Sequence, residues 1–327
     1  MDFKVVVFSD NVLKGFTNFD LQKLNEIFAN CLVDMEKLDF LPIEKSSSFV
    51  CENNNIIFSE NENIDNLIIE HYSQLGSEKE IIDEQIVVFK KRDYKTIFIP
   101  LESDMNLLTK ILENSESKVC KFHVFGMDKN LIIKNLEELK KEILDLNYKI
   151  ITKNIISDVY VSYTGEDNLI DDKQVKIASL FKNNMFSEND LNLENIIFQL
   201  LKMKNLSLSI CENVTNGEII SSLLKENIGF ENVLKTAQIK FFDKFDNDFL
   251  HKQTTNLLQE SGCDIAIVTN GKIEGNVFNF VFTIADKNEV HFYKCNFTGN
   301  LKNSIAMAKN TLLYHVVKKL RQNDFVF

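Results

Sequence analysis

Residues 206–217 read LSLSICENVTNG, and residues 218–224 follow them with a helical pattern. The first six residues are an apolar run of the length of a strand. The polar residues that come next are typical of a turn that opens a helix. This segment therefore predicts a strand, a polar turn and a helix, with polar side chains gathered at the turn.

The sequence around this unit predicts an α/β sandwich over residues 187–327. The apolar residues of the closing helix share one face, as a packed helix requires: Ile305, Leu312, Leu313, Val316, Val317 and Leu320. The predicted order is helix 193–202, strand 206–211, helix 218–224, strand 237–242, helix 248–261, strands 264–269, 277–285 and 290–297, and the closing helix.

The N-terminal third alternates short apolar runs with helical patterns, which favours an open, mostly parallel α/β sheet over residues 1–116. Strands are predicted at 3–8, 55–58 and 96–99, helices at 20–33, 64–75 and 105–112, and a linker at 115–118.

A small α+β domain is predicted over residues 117–186, with a second boundary at 183–193. Its predicted elements are strand 121–125, helix 130–146, strands 149–156 and 158–163, and helix 172–181. In the first helix Leu136, Leu139, Ile143 and Leu146 share one face, and Glu137 and Lys141 form an outer pair. The fold class is thus α/β, with two α/β sandwich domains joined by a small α+β domain.

Composition limits the classes of function. A formal net charge of −11 opposes binding to nucleic acid, because such binding depends on neutralising phosphates. The basic runs 90–92 and 318–321 are interpreted as solvated turns or helix ends. No apolar run approaches the roughly 18 residues of a membrane span, and the N-terminus resembles a strand more than a signal peptide. We therefore expect a cytoplasmic protein that binds neither membrane nor nucleic acid.

The six cysteines are scattered, without a C-x-x-C pair, and predict buried, inert thiols in place of disulfides or zinc sites. Only 10 glycines occur in the chain, too few for glycine-rich phosphate loops. The cysteines are Cys31, Cys51, Cys120, Cys211, Cys263 and Cys295.

Three stretches of the C-terminal part resemble motifs of the competence/damage-inducible CinA family. Residues 206–217 are similar to a strand followed by A-E-S-x-T-G-G, with Asn213 and Asn216 replacing the serine and the first glycine. Residues 229–246 align with G-S-S-x-x-F…Y-S-N-x-x-K, and residues 262–269 with G-A-D…V-T-G. The motif residues that match in the first stretch are Glu212, Thr215 and Gly217.

The whole chain resembles this family, with its predicted domains in the same order. The resemblance implies a molybdopterin-binding-like domain at 1–116, a KH-like domain at 117–186, and a C-terminal domain whose active relatives deamidate nicotinamide mononucleotide. It also implies a homodimer, Mg²⁺ as a cofactor, and a pyridine nucleotide or ADP-ribose as ligand. In the middle domain FHVFG at 122–126 matches a family strand, although only Gly126 remains of a G-x-x-G loop. The N-terminal matches are Gly15, Asp65, Pro100, Ser103 and Met105.

The catalytic signature of the family is substituted. Phe241 stands at the tyrosine position, Phe242 at the serine, Asp243 at the asparagine and Asp246 at the lysine. No activated nucleophile remains, and Glu218 in the first turn of the helix opposes a phosphate there. The sequence thus assigns no catalytic residue. Candidate ligand-binding residues are Glu212, Asn213, Thr215, Asn216, Gly217, Thr269 and Asn270.

We therefore predict a catalytically degenerate CinA-like protein that acts by binding or assembly. Two alternatives remain open: a divergent nicotinamide mononucleotide deamidase or ADP-ribose pyrophosphatase that uses the same polar residues, and a scaffold without a ligand. Lys240 or Lys244 would have to replace the missing lysine in an active enzyme. Residues 59–63 are a candidate for holding a hard cation through oxygen atoms.

Overall fold

The computed structural model describes residues 2–12, 15, 19–51, 53–76, 78–82, 85–91, 94–112, 117–164, 172–187, 191–226, 233–242, 244 and 246–322. The chain divides into two compact units. One consists of Met1–Lys121, Leu136–Ile150 and Tyr160–Val175, and the other of Phe122–Asn135, Ile151–Val159 and Lys176–Phe327. Both units include parts of residues 117–186, and the division into three domains stays a prediction.

The N-terminal sheet has the order β2-β1-β3-β6-β5-β4. The pairs β1–β2, β1–β3 and β3–β6 are parallel, and β5 and β4 extend the sheet in antiparallel fashion. The elements are β1 (Asp2–Ser9), α1 (Leu21–Asn30), β2 (Asp34–Pro42), a 3-10 helix (Ile43–Ser48), β3 (Asn55–Ser59), α2 (Asn61–His71), β4 (Glu78–Ile82), β5 (Ile86–Lys91), β6 (Tyr94–Pro100) and α3 (Leu107–Leu112).

Both faces of this sheet are covered, because alternate strand residues bury against helices on opposite sides. Val5 and Val7 of β1 pack in one cluster with residues of α1 and α3, and Val6 and Phe8 pack in another with residues of α2. The predicted mostly parallel sheet is confirmed. The strands β2, β4 and β5 were not predicted. Charged residues break the apolar pattern of β2 and β4, whereas the apolar run IVVF of β5 was overlooked.

The middle sheet has the order β10-β7-β9-β8. The predicted linker at 115–118 is wrong at its end, because β7 already begins at Ser117. The predicted boundary at 183–193 likewise contains β10 and the first residue of the next helix. The elements are β7 (Ser117–Phe125), α4 (Lys129–Leu139), β8 (Asn147–Lys153), β9 (Ile156–Thr164), α5 (Asp172–Phe181) and β10 (Met185–Ser187).

The helix predicted to reach residue 146 ends at Leu139. Beyond it the backbone tightens into turns, with the N–H of Glu142 bonded to the carbonyl of Leu139 at 2.9 Å. Ile143 and Leu146 are nevertheless buried. The apolar spacing therefore predicted their burial correctly, but the predicted helix was too long. Lys141 lies outside the helix, and Glu137 instead accepts a hydrogen bond of 2.6 Å from the Tyr148 hydroxyl.

The C-terminal sheet has the order β12-β11-β13-β14-β15, with β12, β11 and β13 parallel and the last two strands antiparallel. The predicted strand at 237–242 ends earlier, at Ile239. The elements are α6 (Leu193–Met203), β11 (Leu208–Glu212), α7 (Glu218–Glu226), β12 (Leu234–Ile239), α8 (Asn247–Ser261), β13 (Ile265–Glu274), β14 (Val277–Ala285), β15 (Val290–Thr298) and α9 (Leu301–Gln322).

Helices cover both faces of this sheet as well, which confirms the α/β fold class. Leu208 and Ile210 of β11 pack with residues of α6, α7 and α9, whereas Cys211 packs with Leu250 and Leu257 of α8. All six residues predicted for the apolar face of α9 are buried.

All six cysteines are free thiols, and four of them are buried. The basic run at 318–321 is partly built into the structure: Lys319 is buried, and the Arg321 guanidinium donates to the carbonyl of Phe186 at 2.6 Å. No helix among the described residues is long and apolar enough to cross a membrane.

Candidate functional site

The predicted site residues gather where β11 and β13 run parallel. Glu212 ends β11, Asn213 and Thr215 lie in the turn that follows, and Thr269 and Asn270 lie in β13. All five side chains are buried. The structure therefore brings together five of the seven predicted residues, and the other two, Asn216 and Gly217, follow in the same turn.

Glu212 is bonded to the turn and helix that follow it. One carboxylate oxygen accepts a hydrogen bond from the Thr215 hydroxyl, and the other accepts the backbone N–H of Ile220 at 2.9 Å. Ile220 belongs to the first turn of α7, where N–H groups lack partners within the helix. The Glu212 carboxylate thus occupies an anion position at the positive end of α7.

Asn213, Thr269 and Asn270 form a second, continuous network. The Thr269 hydroxyl accepts the backbone N–H of Asn213 at 2.9 Å and donates to the Asn213 carbonyl at 3.1 Å. The Asn213 amide donates to Asn270 Oδ1 at 2.8 Å, and that oxygen also accepts the N–H of Gly271. Asn270 Nδ2 donates to the carbonyl of Lys244 at 2.7 Å. The network therefore uses its polar groups to join β11, β13 and the segment before α8.

The turn after β11 has an unusual backbone. Val214, Asn216 and Gly217 have φ values of 69°, 54° and 81°. A left-handed conformation is rare for a β-branched residue and costs on the order of 1–3 kcal/mol. Sequence reasoning missed Val214, because only the asparagine and glycine of V-T-N-G signal positive φ. Asn216 is exposed and Gly217 is half-buried.

Gly271 is a second residue that the sequence reasoning missed. A Cβ at this position would lie 2.6 Å from the carbonyl oxygen of Asn279 and 2.9 Å from the Val214 side chain. The close approach of β13, β14 and the strained turn therefore requires glycine. The sequence carries no local signal for this close approach, because it depends on the neighbouring strand β14 and on Val214.

The residues that align with the catalytic motif of the CinA family have other roles in this structure. Phe241 is 89% exposed, and Phe242 packs edge-on against Phe249 at 5.3 Å between ring centroids. Asp246 is the N-cap of α8 and accepts the backbone N–H of Phe249 at 2.7 Å. Lys240 and Lys244 are exposed. Asp243 lies outside the described residues.

Cys211 precedes Glu212 in β11 and places a thiol next to the cluster. Burial raises the pKa of its thiol to about 11, the Lys240 charge lowers it and the Glu212 charge raises it. A thiol with this pKa is protonated at neutral pH and is a poor nucleophile.

The predicted N-terminal site lies at the carboxyl ends of β1 and β3. The Ser9 hydroxyl donates to Glu60 Oε1 at 2.5 Å, and the Ser59 hydroxyl lies 3.4 Å from Glu60 Oε2. Ser9 and Ser59 are buried, and a Cβ on Gly15 would lie 2.8 Å from that of Ser9. Of the other matches, Met105 is buried and Asp65 is exposed.

These residues do not fit a preformed metal site. Glu60 is the one carboxylate held by both serines, and its oxygens already accept their hydrogen bonds. Across the described parts of the chain, no three histidine, cysteine, aspartate or glutamate side chains are grouped to hold a metal ion. Mg²⁺ commonly keeps several waters and uses one or two carboxylates together with substrate phosphates, so a substrate would have to supply the remaining ligands.

No family model matches the sequence, and no curated protein matches it. Solved structures of the CinA superfamily do resemble it over part of its length. One from Klebsiella pneumoniae is 18% identical, with 40% of this chain and 96% of that chain covered and a TM-score of 0.36. One from Enterobacter cloacae is 16% identical, with coverage of 42% and 97% and a TM-score of 0.37.

A competence or damage-inducible protein from Enterobacter asburiae is 15% identical, with 39% of this chain and 96% of that chain covered and a TM-score of 0.36. Each of these three likenesses covers nearly the whole of the solved chain and about 40% of this one.

Proposed function

We propose that this chain is a CinA-like protein without amide hydrolase chemistry and that it acts by binding or assembly. The observation that supports this most is the buried network at the ends of β11 and β13. Glu212, Asn213, Thr215, Thr269 and Asn270 bond to one another and to backbone groups, so their polar atoms serve the fold.

Charge supports the same proposal. A nucleotide phosphate near the start of α7 would compete with the Glu212 carboxylate for the N–H of Ile220. It would also approach Glu218, an exposed carboxylate in the first turn of the same helix. Two negative charges at the positive end of a helix disfavour a third.

The side chains that would hydrolyse an amide are absent from the positions that align with the CinA catalytic motif. Phe241 has no hydroxyl, and Asp246 reverses the charge of the lysine and is used to cap α8. A hydrolase of this kind needs a nucleophile within hydrogen-bond reach of a base, open to the substrate. The proposal includes a homodimer and a KH-like middle domain, both from the motif resemblance, and a cytoplasmic location, from the short apolar runs and the strand-like N-terminus.

The test is turnover by the purified full chain. We expect no ammonia from nicotinamide mononucleotide and no ribose 5-phosphate from ADP-ribose with Mg²⁺, measured beside an active CinA-family deamidase assayed identically. Ammonia release above the no-enzyme blank, removed by Thr215→Ala, would overturn the proposal. A thermal-shift series with the same compounds measures retained binding, since ligand at 100 times its Kd stabilises by roughly 2.7 kcal/mol.

One observation favours the alternative of a divergent enzyme. The Thr215 hydroxyl donates to the Glu212 carboxylate, which is the arrangement of a nucleophile and its base. Thr215 is 0% exposed, however, so a substrate would need the turn to open. In an enzyme Thr215→Ser would retain turnover that Thr215→Val abolishes. In the degenerate protein neither variant has turnover, and they differ only in stability.

A further inference from the structure

In the part of the chain that the structure describes, β12 is an end strand of the C-terminal sheet. The N–H of Lys240 bonds to the carbonyl of Glu212 at 3.0 Å, and Glu212 is paired with Ile239 and Ile210 with Ala237. In a parallel ladder alternate residues direct both backbone groups to the same neighbour. The N–H and C=O groups of Ala237 and Ile239 therefore point away from β11, and among the described residues no strand pairs with that side.

Two large apolar side chains stand at this edge. Ile239 is 53% exposed and Phe241 is 89% exposed. Ile239 lies on the α7 face of the sheet, because it is in register with Glu212 and its Cδ1 approaches Gly217. Phe241 follows Ile239 by two residues, and Phe242 packs on Phe249 of α8. The edge thus presents two exposed apolar side chains close together in sequence, with backbone groups that no described strand pairs.

The charged side chains of residues 234–240 are two lysines, in a chain whose net charge is −11. Lys235 and Lys240 are exposed, and neither forms an ion pair among the described residues. Lysines on an edge strand oppose pairing with a like strand. They disfavour β12 pairing with a second β12 and favour a strand that carries acidic side chains.

We propose that β12 binds an extended, acidic segment of a partner protein as an additional strand of the sheet. Backbone hydrogen bonds from Ala237 and Ile239 would supply affinity, as in other strand-addition interfaces. Lys235 and Lys240 select acidic side chains, and Ile239 and Phe241 contact the apolar ones. This inference rests on the proposed binding role and names the class of partner.

The experiment uses fluorescence polarisation with the full chain and two short labelled peptides, one of alternating glutamate and valine and one of alternating lysine and valine. We expect the acidic peptide to bind and the basic peptide not to. Ala237→Pro removes an outward N–H, which an edge strand tolerates, and should weaken binding at least tenfold. Phe241→Ser, which leaves the backbone intact, should weaken it severalfold.

Charge reversal provides the second arm. The double variant Lys235→Glu, Lys240→Glu should lose the acidic peptide and gain the basic one, whereas Lys294→Glu on β15, at the other edge of the sheet, should change neither. Absence of acidic-peptide binding at millimolar concentration, or equal binding by all variants, overturns the inference. So does a dimer that Ala237→Pro dissociates, which would assign the edge to a second copy. The ammonia assay is independent, so turnover would contradict the proposed function without changing the peptide result.

Discussion

The backbone N–H of Ile220 donates a hydrogen bond of 2.9 Å to the carboxylate of Glu212, which ends the preceding strand. The cap of α7 is therefore supplied by β11 across a turn with left-handed residues, and not by the residue just before the helix. This relationship explains how Thr215 and Glu212 stay buried at 0% exposure without an unpaired charge. A carboxylate at a helix start is stabilised by the N–H groups and by the helix dipole.

Replacing Glu212 with alanine removes both hydrogen bonds and leaves the Ile220 N–H and the Thr215 hydroxyl buried without partners. Hydrogen bonds to a charged group contribute about 1.5–3 kcal/mol each, and buried orphaned partners add to the loss. We expect the free energy of unfolding to fall by about 3 kcal/mol, measured by urea denaturation followed by circular dichroism.

The matched control is Glu218→Ala, which removes an exposed carboxylate from the first turn of the same helix. Its interaction with the dipole contributes about 0.3–1 kcal/mol. Equal losses in the two variants would show that position in the helix matters and that the buried bonds of Glu212 do not.

Asp246, which aligns with the lysine of the CinA motif, can be tested by substitution. Because its side chain caps α8 through the N–H of Phe249, Asp246→Ala should cost about 1 kcal/mol, while Asp246→Asn should cost a few tenths. Asp246→Lys restores the family residue but loses the cap, so we expect a lower Tm and no release of ammonia from nicotinamide mononucleotide. Ammonia release by that variant would mean that the pocket is otherwise intact.

The sequence predicted most of the C-terminal fold because its helices and strands bury continuous apolar faces. The strand at 277–285 is found at the predicted bounds, as is the helix at 172–181 of the middle part. β2 was missed, since its residues DMEKLDFLP are mostly half-buried and carry charges at alternating and adjacent positions. Burial of that kind depends on neighbouring elements that a local pattern does not contain.

For the candidate site, the sequence predicted residues that lie together in the fold, but not their bonding partners. Glu212, Thr215 and Thr269 were predicted from the motif, and the structure places them together. That Glu212 bonds to Ile220 depends on the path of the turn, where Val214 adopts a φ of 69°. A valine gives no local signal for that conformation, so the closed network could not be predicted from residue types.

Lys319 on α9 lies in a charged cluster, although the basic run 318–321 predicts a solvated helix end. Its ammonium contacts Glu289, lies 2.9 Å from Asp286 Oδ2 and 3.1 Å from His291 Nε2. Burial lowers the pKa of Lys319, but hydrogen bonds to Glu289 and Asp286 outweigh burial and hold the pKa above its ordinary value.

Lys319→Met leaves Asp286 and Glu289 without their shared cation. Breaking a fully buried pair costs about 3–5 kcal/mol, and the exposure of Glu289 reduces this, so we expect a loss of about 2 kcal/mol in urea denaturation. The neighbouring Lys318 is exposed, and Lys318→Met should change stability by less than about 0.5 kcal/mol. A neutral result for Lys319→Met would mean that water replaces the ion pairs.

The cysteines should react in two classes. Burial raises the pKa of Cys51 to about 12 and that of Cys211 to about 11, while Cys31 and Cys295 are half-buried. Alkylation by iodoacetamide follows the thiolate. Peptide mapping after brief labelling of the native protein should find Cys51 and Cys211 unmodified, and labelling in urea should find both modified. Labelling of Cys51 in the native protein would indicate local opening around the 3-10 helix.

His71, the last residue of α2, makes the stability of the N-terminal sheet region depend on pH. It is 1% exposed, neither ring nitrogen has a hydrogen-bond partner among the described residues, and Phe49 packs edge-on to it. Burial lowers the pKa of His71 and the Glu70 charge only partly offsets this, whereas the unfolded chain has the ordinary value of 6.5. Below that pH the unfolded state binds a proton that the folded state excludes.

Stability that is present above about pH 6.5 is therefore lost as the pH falls towards the folded-state pKa of His71. Between about pH 8 and about pH 5, urea midpoints of the wild type should fall further than those of His71→Leu, whose apolar side chain has no proton to bind. His251→Leu, at an exposed histidine on α8, should follow the wild type, because it leaves the buried ring of His71 in place. Parallel curves for wild type and His71→Leu would mean that the buried ring is protonated as readily as a free one, which requires water or a polar partner to reach it in the folded protein.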